Sequence, residues 1–319
     1  MKGAAATVFF GSGAFAVPVL DALVAHRSVN VVGVVTAPPR AAGRHQVVTP
    51  SPVGGRAAAL GLIALTPERL RSDESIARIS SLRPELLVLA DYGRLVPGAL
   101  LDLPAAGALN LHPSLLPRHR GASPIPAAIL AGDAETGVTL MRMDEGLDTG
   151  PIVAQRRVAL SGDETAPLLE EQLAAIAAAL LTDSLTAWLA GEIPATPQPA
   201  VGATLTRPLR REDGRLDPAR TATDLERQVR AYQPWPGSFI ELDGFARMTV
   251  TRARVAPTEP GDVPGQLMPS GSGLALATGD ARLELLEVVP AGSRRMSGTE
   301  LVRGRPTLVG SRVPEGTLG

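Results

Sequence analysis

The sequence predicts an α/β fold, a mostly parallel sheet covered by helices on both faces, followed by a smaller β-rich domain. Three observations carry this. The first 160 or so residues alternate short apolar runs with helical patterns. A stretch with four prolines interrupts that rhythm at 191–208. Short strand patterns separated by Gly and Pro then take over to the end.

Taken in order, the apolar runs Thr7–Phe10, Val29–Thr36, Leu62–Thr66, Leu86–Asp91, Ala108–His112 and Val138–Met143 read as strands, too continuously apolar for one wet face. Helical periodicity falls between them at Phe15–His26, Pro52–Leu60, Ser75–Leu82 and Pro124–Ala131. A further strand near Ile152–Leu160 leads into a long Ala-rich helix, Thr165–Leu189. The stretch GEIPATPQPAVGATLTRP (191–208) has little periodicity and reads as an ordered or semi-extended linker. Beyond it lie one helix (Thr221–Tyr232) and strands near 238–242, 246–255, 264–268, 273–277 and 281–288, the pattern of a small barrel or sandwich. The expected division is therefore a catalytic α/β domain at 1–190, a linker at 191–208 and a β-barrel domain at 209–319.

Composition narrows the function classes. Aromatic residues make up 3% of the 319 and cysteine is absent, so the core is aliphatic and no thiolate nucleophile, disulfide or Cys-based metal site is available. That agrees with a reducing compartment, and the expected location is cytoplasmic. The apolar start MKGAAATVFF continues directly into a strand–glycine–helix pattern, so it is read as a buried first strand and not as a signal peptide. No stretch reads as a membrane span. Net charge is −1, divided as −3 before residue 207 and +2 from residue 207 onward, with Lys2 the only lysine. An Arg-rich second half permits an RNA partner without demanding one.

One segment carries chemistry. In strand Ala108–His112 alternate side chains share a face, so Asn110 and His112 point the same way at the strand's carboxyl end, where open α/β sheets place ligands. The Pro- and Gly-rich loop after it continues neither strand nor helix. DEGLDTG (144–150) forms an acidic turn after another strand and can return Asp148 to the same crevice. Singly, each of these residues is better explained as a turn former or cap. Together, an amide, an imidazole and a carboxylate suit acyl transfer to an amine. Asn110 donates to the developing oxyanion, His112 adds a donor or shuttles the proton, and Asp148 orients His112 and accepts from the amine.

Residues 110–153 resemble the signature of the folate-dependent formyltransferases, in which Asn-x-His, SLLPRxRG and a later GLDTG occur together. FFGSGAFA (9–16), VVGVVTAPPRAAGR (31–44), TPSPV (49–53), DYG (91–93), LERQVRAYQPWPGSF (225–239) and VVPAGSRRMSGTELV (288–302) extend the resemblance over the whole chain. The resemblance implies a Rossmann-like first domain and an OB-like barrel, with Asn110, His112 and Asp148 as catalytic residues. It implies a tetrahydrofolate-binding segment at Ser114, Leu115, Leu116 and Pro117, 10-formyltetrahydrofolate as donor, the α-amino group of methionyl initiator tRNA as acceptor, a monomer, and no metal. It places Arg44, with Arg40 near it, on a loop that enters the tRNA acceptor end, where guanidinium groups pair with phosphates and stack on unpaired bases.

The chain departs from the family pattern in three places. The first loop reads Ser12-Gly13 where Thr-Pro is usual, His45 and Gln46 stand in place of lysines, and Asp91 occupies a position where a small apolar residue is commoner. Relatives that hydrolyse formyltetrahydrofolate or formylate other amines share the same crevice, and the second domain with the 37–49 loop separates them from this chain. Gly11, Gly13 and Ala16 also match a dinucleotide-binding fingerprint, which would make the protein an NAD-dependent oxidoreductase. The acidic residue that fingerprint wants after the second strand is absent, since the position reads Thr36-Ala37-Pro38-Pro39. A binding module without chemistry is the other alternative, and the intact Asn-x-His and Asp set argues against it.

Overall fold

The computed structural model describes residues 3–42, 46–242 and 245–314. They form two compact units. The first comprises residues up to 124, 135–159 and 169–207, and the second comprises 125–134, 160–168 and the chain from 208 onward.

The first unit holds strands β1 (Ala5–Gly11), β2 (Val29–Val35), β3 (Arg40–Ala42), β4 (Val47–Thr49), β5 (Ala64–Leu65), β6 (Leu86–Ala90), β7 (Ala108–His112), β8 (Arg120–Gly121), β9 (Glu135–Arg142), β10 (Ile152–Ala159) and β11 (Leu205–Thr206). Seven of them form one sheet in the order β10-β9-β7-β6-β1-β2-β5. The strands from β7 to β5 run parallel, while β9 and β10 are antiparallel additions at one edge. Every residue of β6 is buried, as expected of a strand covered on both faces. Val8 and Phe10 of β1 pack with Leu87 and Leu89 of β6 and with Ile79, Val96 and Leu100, making the core on one side of the sheet.

Helices in chain order are α1 (Ala16–Ala25), α2 (Pro52–Ala59), α3 (Asp73–Ser80), α4 (Gly98–Leu101), α5 (Pro124–Ala131) and α6 (Ala166–Leu189). Local chemistry sets their starts. Ser51 accepts a hydrogen bond from Gly54 N–H at 2.9 Å and Pro52 stands at the first helical position, so α2 begins with its orphan donors reduced. Ser72 caps α3, with Asp73 and Glu74 in its first turn, where carboxylates suit the helix dipole. Helix α6 has the length and apolarity to cross a bilayer, yet Leu169, Leu173, Ala177, Leu181 and Leu185 are buried within the fold.

The second unit, which takes in all of α5 but its first residue, adds α7 (Ala222–Ala231), strands β12 (Ser238–Leu242), β13 (Phe245–Ala256), β14 (Leu267–Ser270), β15 (Gly273–Ala277), β16 (Arg282–Pro290) and β17 (Met296–Ser297), and α8 (Gly298–Gly304). The antiparallel path β12-β13-β16-β15-β14 curls as a half-barrel, with β17 paired to β16. Its core is aliphatic, including Ile240, Met248, Val250, Leu274, Leu276, Leu283 and Leu285, and α7 contributes Leu225 and Val229. Helix α8 begins with a capping box in which Ser297 and Glu300 satisfy each other's backbone N–H groups. No periodicity in the short run after residue 296 announces that helix, so the sequence reading passes over it.

Two features of the first unit were hidden in apparent loops. The arginine-bearing loop contains a hairpin, β3 paired with β4. The 191–208 stretch is not a free tether: Thr196 exchanges backbone hydrogen bonds with Ile152, and β11 pairs in parallel with β8.

Candidate active site

Asn110 and His112 lie two residues apart on β7 and so face the same side of the sheet. Because β9 runs antiparallel to β7, the chain leaves β9 near the amino end of β7, where Arg142 pairs with Leu109. The 143–151 loop must therefore fold back to bring Asp148 beside the carboxyl end of β7. It does so with Asp148 in the left-handed region, φ 53°. That backbone costs a non-glycine residue roughly 1–3 kcal/mol and persists only where its surroundings over-determine it. They do: Asp144 accepts from Gly146 N–H at 3.0 Å and from the Thr149 hydroxyl at 2.8 Å, closing the loop on itself.

The carboxylate of Asp148 is the hub. One oxygen accepts from Asn110 Nδ2 at 3.4 Å. The other accepts from Gly121 N–H at 2.8 Å and stands 3.6 Å from His112 Nδ1. Gly121 has φ 102°, and a Cβ there would lie 2.3 Å from the Thr206 carbonyl oxygen, so only glycine brings this N–H to the carboxylate.

His112 is 4% exposed, and its tautomer follows from its other contact. Nε2 sits 2.9 Å from the carbonyl oxygen of His119, a group that only accepts, so Nε2 carries the hydrogen. Nδ1 then faces the Asp148 carboxylate at 3.6 Å, so a proton held at Nδ1 meets a negative charge. The Asn110 amide, whose neighbour is that same carboxylate, keeps a second N–H for another acceptor.

The predicted folate segment divides into two kinds of residue. Ser114 and Leu116 are buried. The Ser114 hydroxyl is spent on the Arg118 carbonyl at 2.6 Å, and Thr139 donates to the Ser114 carbonyl while accepting from Leu116 N–H. Gln155 adds a bond to the Leu116 carbonyl, and the Leu116–Pro117 peptide is cis. Leu115 and Pro117 are half-buried and keep surface to offer. Arg40 is exposed on β3, and Arg44 lies outside the described residues.

Residues that the sequence reading missed complete the surroundings. Gln198 donates to the carbonyls of Asp148 and Gly150 at 2.8 and 2.7 Å and accepts from Arg120 at 3.0 and 2.7 Å. Thr204 accepts from His119 N–H at 2.8 Å. Thr206 accepts from Ser123 N–H at 3.0 Å and donates to the Arg120 carbonyl at 3.0 Å. The available signal was the recurrence of Thr and Gln among the prolines of 191–208, more hydrogen-bonding capacity than a spacer requires.

Two of the unusual positions prove to be one arrangement. Asp91 ends β6 with φ 43°, its carbonyl accepting from Ser12 and Gly13 N–H at 2.9 and 3.3 Å. A Cβ on Gly13 would lie 1.6 Å from an Asp91 carboxylate oxygen, so Gly13 leaves the space that this carboxylate fills. Solvent reaches Asp91 on one side, while the protein packed around it and then the charge of Glu170 raise its pKa to about 6. At the end of β2 the Thr36 hydroxyl is hydrogen-bonded to Ser51 at 2.6 Å, and no carboxylate stands there to hold a ribose.

Comparison with known proteins gives a consistent answer. Residues 5–185 match the family described as formyl transferase, and residues 208–306 match the formyl transferase C-terminal domain. The chain is 45% identical to a methionyl-tRNA formyltransferase of Halorhodospira halophila, covering 97% of this chain and 99% of that one. It is 44% identical to one from a Roseiflexus species, covering 96% and 94%. Among solved structures, an N-formyltransferase of Helicobacter canadensis, crystallised with folinic acid and dTDP-3-aminofucose, shares the fold at TM-score 0.63 and 15% identity, over 91% of this chain and 99% of that one.

Proposed function

Because the chain belongs to the formyl transferase family, we propose that it transfers the formyl group of 10-formyltetrahydrofolate to the α-amino group of methionine carried on initiator tRNA, and so acts in translation initiation. The observation that carries the reading is the meeting of Asn110, His112 and Asp148 around one carboxylate, in a chain at least 44% identical to two methionyl-tRNA formyltransferases over more than nine-tenths of their length. A hydrolase or a transferase to another amine has no comparable support, and the Thr36 contact disfavours a nicotinamide cofactor.

The folate supplies the formyl carbon and the leaving nitrogen. It suits the residues present: Leu147, next to Asp148 in the chain, is 48% exposed and offers apolar surface for a flat ring. Backbone groups together with Leu115 and Pro117 contribute from the cis-proline loop.

The chain's own residues divide the remaining work. The spare Asn110 N–H donates to the formyl oxygen as negative charge gathers on it, a contact worth roughly 10²–10³ in rate. The amine that attacks must be neutral and must lose a proton once bonded to carbon. His112 Nδ1 receives that proton, and Asp148 holds the imidazolium, a contribution of roughly 10²–10⁴. When the bond to the leaving nitrogen breaks, the same proton is available to that nitrogen from Nδ1. His119 and Gly121 act through their backbones, the one setting the tautomer and the other anchoring the carboxylate.

The C-terminal half-barrel, 209–319, serves as the tRNA-binding domain, and Arg40 and Arg44 approach the acceptor end. The enzyme works as a cytoplasmic monomer. The test is formylation with purified protein and 10-formyltetrahydrofolate. Methionyl initiator tRNA should be formylated, methionyl elongator tRNA should be a poor acceptor, and uncharged tRNA should be inert. Formate and tetrahydrofolate as the only products would replace this reading with hydrolysis.

A further inference from the structure

We propose that Gln198 is a positioning residue for Asp148, placed in the site by a segment that reads as interdomain linker; the inference rests on the proposed formyl transfer. Its side-chain amide is fully engaged. Both Nε2 hydrogens go to the acidic loop, to the carbonyls of Asp148 and Gly150 at 2.8 and 2.7 Å. Its Oε1 accepts the fork of Arg120, Nε at 3.0 Å and Nη2 at 2.7 Å. Arg120 directly precedes Gly121, whose N–H holds the Asp148 carboxylate. Gln198 therefore ties together the two chain segments that fix that carboxylate, one from each side.

The geometry explains why a primary amide is needed. The loop offers two carbonyl oxygens and Arg120 offers only donors, so the link requires two donors and an acceptor on one planar group. A carboxylate would turn lone pairs toward the two carbonyls, and an apolar side chain would leave the Asp148 and Gly150 carbonyls and the guanidinium without their partner. The link also has a job to do. Asp148 holds a left-handed backbone at φ 53°, and the bond to its own carbonyl restrains the rotation that would relieve it. The anchor is itself fixed on both sides: Thr196 exchanges backbone bonds with Ile152 at 2.7 and 2.8 Å, and β11 pairs with β8 further along. Releasing Gln198 frees the carboxylate to drift from His112 Nδ1 and Asn110 Nδ2. A displacement near 1 Å at reacting groups costs roughly 10²-fold in rate.

The experiment compares wild type, Gln198→Leu and Gln198→Glu in the full chain, each alone and combined with Asp148→Asn, for formyl transfer to methionyl initiator tRNA. Hydrogen exchange across 144–151 is measured on the same proteins. Either single variant should lower kcat by roughly 10–100-fold, with KM for both substrates within about twofold and faster exchange in the loop. In the Asp148→Asn background the Gln198 change should cost less than about twofold, since the group it positions is gone. Gln198→Glu keeps the side chain's size should the leucine variant fail to fold. Wild-type kcat in both variants, or an undiminished penalty in the Asp148→Asn background, overturns the proposal. An inactive wild type defeats the formyl-transfer reading instead. The exchange measurement then still decides whether Gln198 holds the loop, and unchanged exchange refutes that.

Discussion

Replacing Asp148 with Asn tests the division of labour at the site, because it keeps the shape and the Gly121 contact, removes the charge and turns an amide donor toward Asn110 Nδ2. The Gly121 N–H retains an oxygen to bond, provided the new amide turns its oxygen that way, and Gln198 still holds the loop by its backbone. What is lost is the carboxylate 3.6 Å from His112 Nδ1. At the effective dielectric near 20 that suits such sites, two unit charges at that separation attract by about 4–5 kcal/mol. The side chain of Asp148 is 15% exposed and water relieves part of this, so half the value is a conservative figure. Two kilocalories correspond to about 30-fold in rate and four to about 1,000-fold. Formyl transfer measured in single turnover, with enzyme in excess over methionyl-tRNA, should therefore slow by about 30–1,000-fold. Binding of both substrates and the thermal midpoint should stay near wild type. A rate within threefold of wild type, with folding intact, would show that no imidazolium forms beside this carboxylate, and the proton route through His112 would fall.

Three further outcomes follow from named contacts. Asn110→Ala should lower kcat by roughly 10²–10³ through loss of the oxyanion donor, and steady-state kinetics would show KM unchanged. Gly121→Ala places a Cβ 2.3 Å from the Thr206 carbonyl at φ 102°, so chemical denaturation should show a loss of roughly 1–3 kcal/mol together with reduced kcat, whereas a silent substitution would mean the Gly121 contact is dispensable. Asp91→Asn should change the pH dependence of stability. The folded pKa of about 6 lies above the ordinary 3.8, so between those values the unfolded chain ionises first and the fold loses stability as pH rises, the loss being complete above about 6. The asparagine variant should therefore melt higher than wild type at pH 7.5, by less than the roughly 3 kcal/mol that two full units carry because solvent reaches the group. It should match wild type near pH 4, and a difference constant across that range would contradict the assignment.

The fold was largely legible because continuous apolar runs and 3.6-residue periodicity survive in a single sequence. Runs such as Leu86–Ala90 announce a doubly covered strand, and Ala108–His112 announces the strand that bears Asn110 and His112. Pairing direction was not legible. Nothing in Glu135–Arg142 distinguishes an antiparallel neighbour of β7 from another parallel strand, so the sharp return of the Asp148 loop emerges only in three dimensions. The convergence of Asn110, His112 and Asp148 was expected from residue types that suit one reaction, while the tautomer of His112 depends on the His119 carbonyl, a backbone atom that no motif encodes. Gln198 escaped for a similar reason. Prolines around it imply a semi-extended linker, and side-chain bonds to backbone carbonyls 48 and 50 residues away leave no periodic trace. Asp91 was visible as an anomaly, but its pairing with the space above Gly13 was not, since 78 residues separate them.

A structure with a stable 10-formyltetrahydrofolate analogue bound would test the placement of the reacting carbon most directly. The formyl oxygen should sit about 2.7–3.1 Å from Asn110 Nδ2, with the open face of the carbonyl carbon turned toward His112 Nδ1 and the Asp148 carboxylate. A formyl group lying beyond reach of both Asn110 and His112, with the folate otherwise well seated, would contradict the account at its centre.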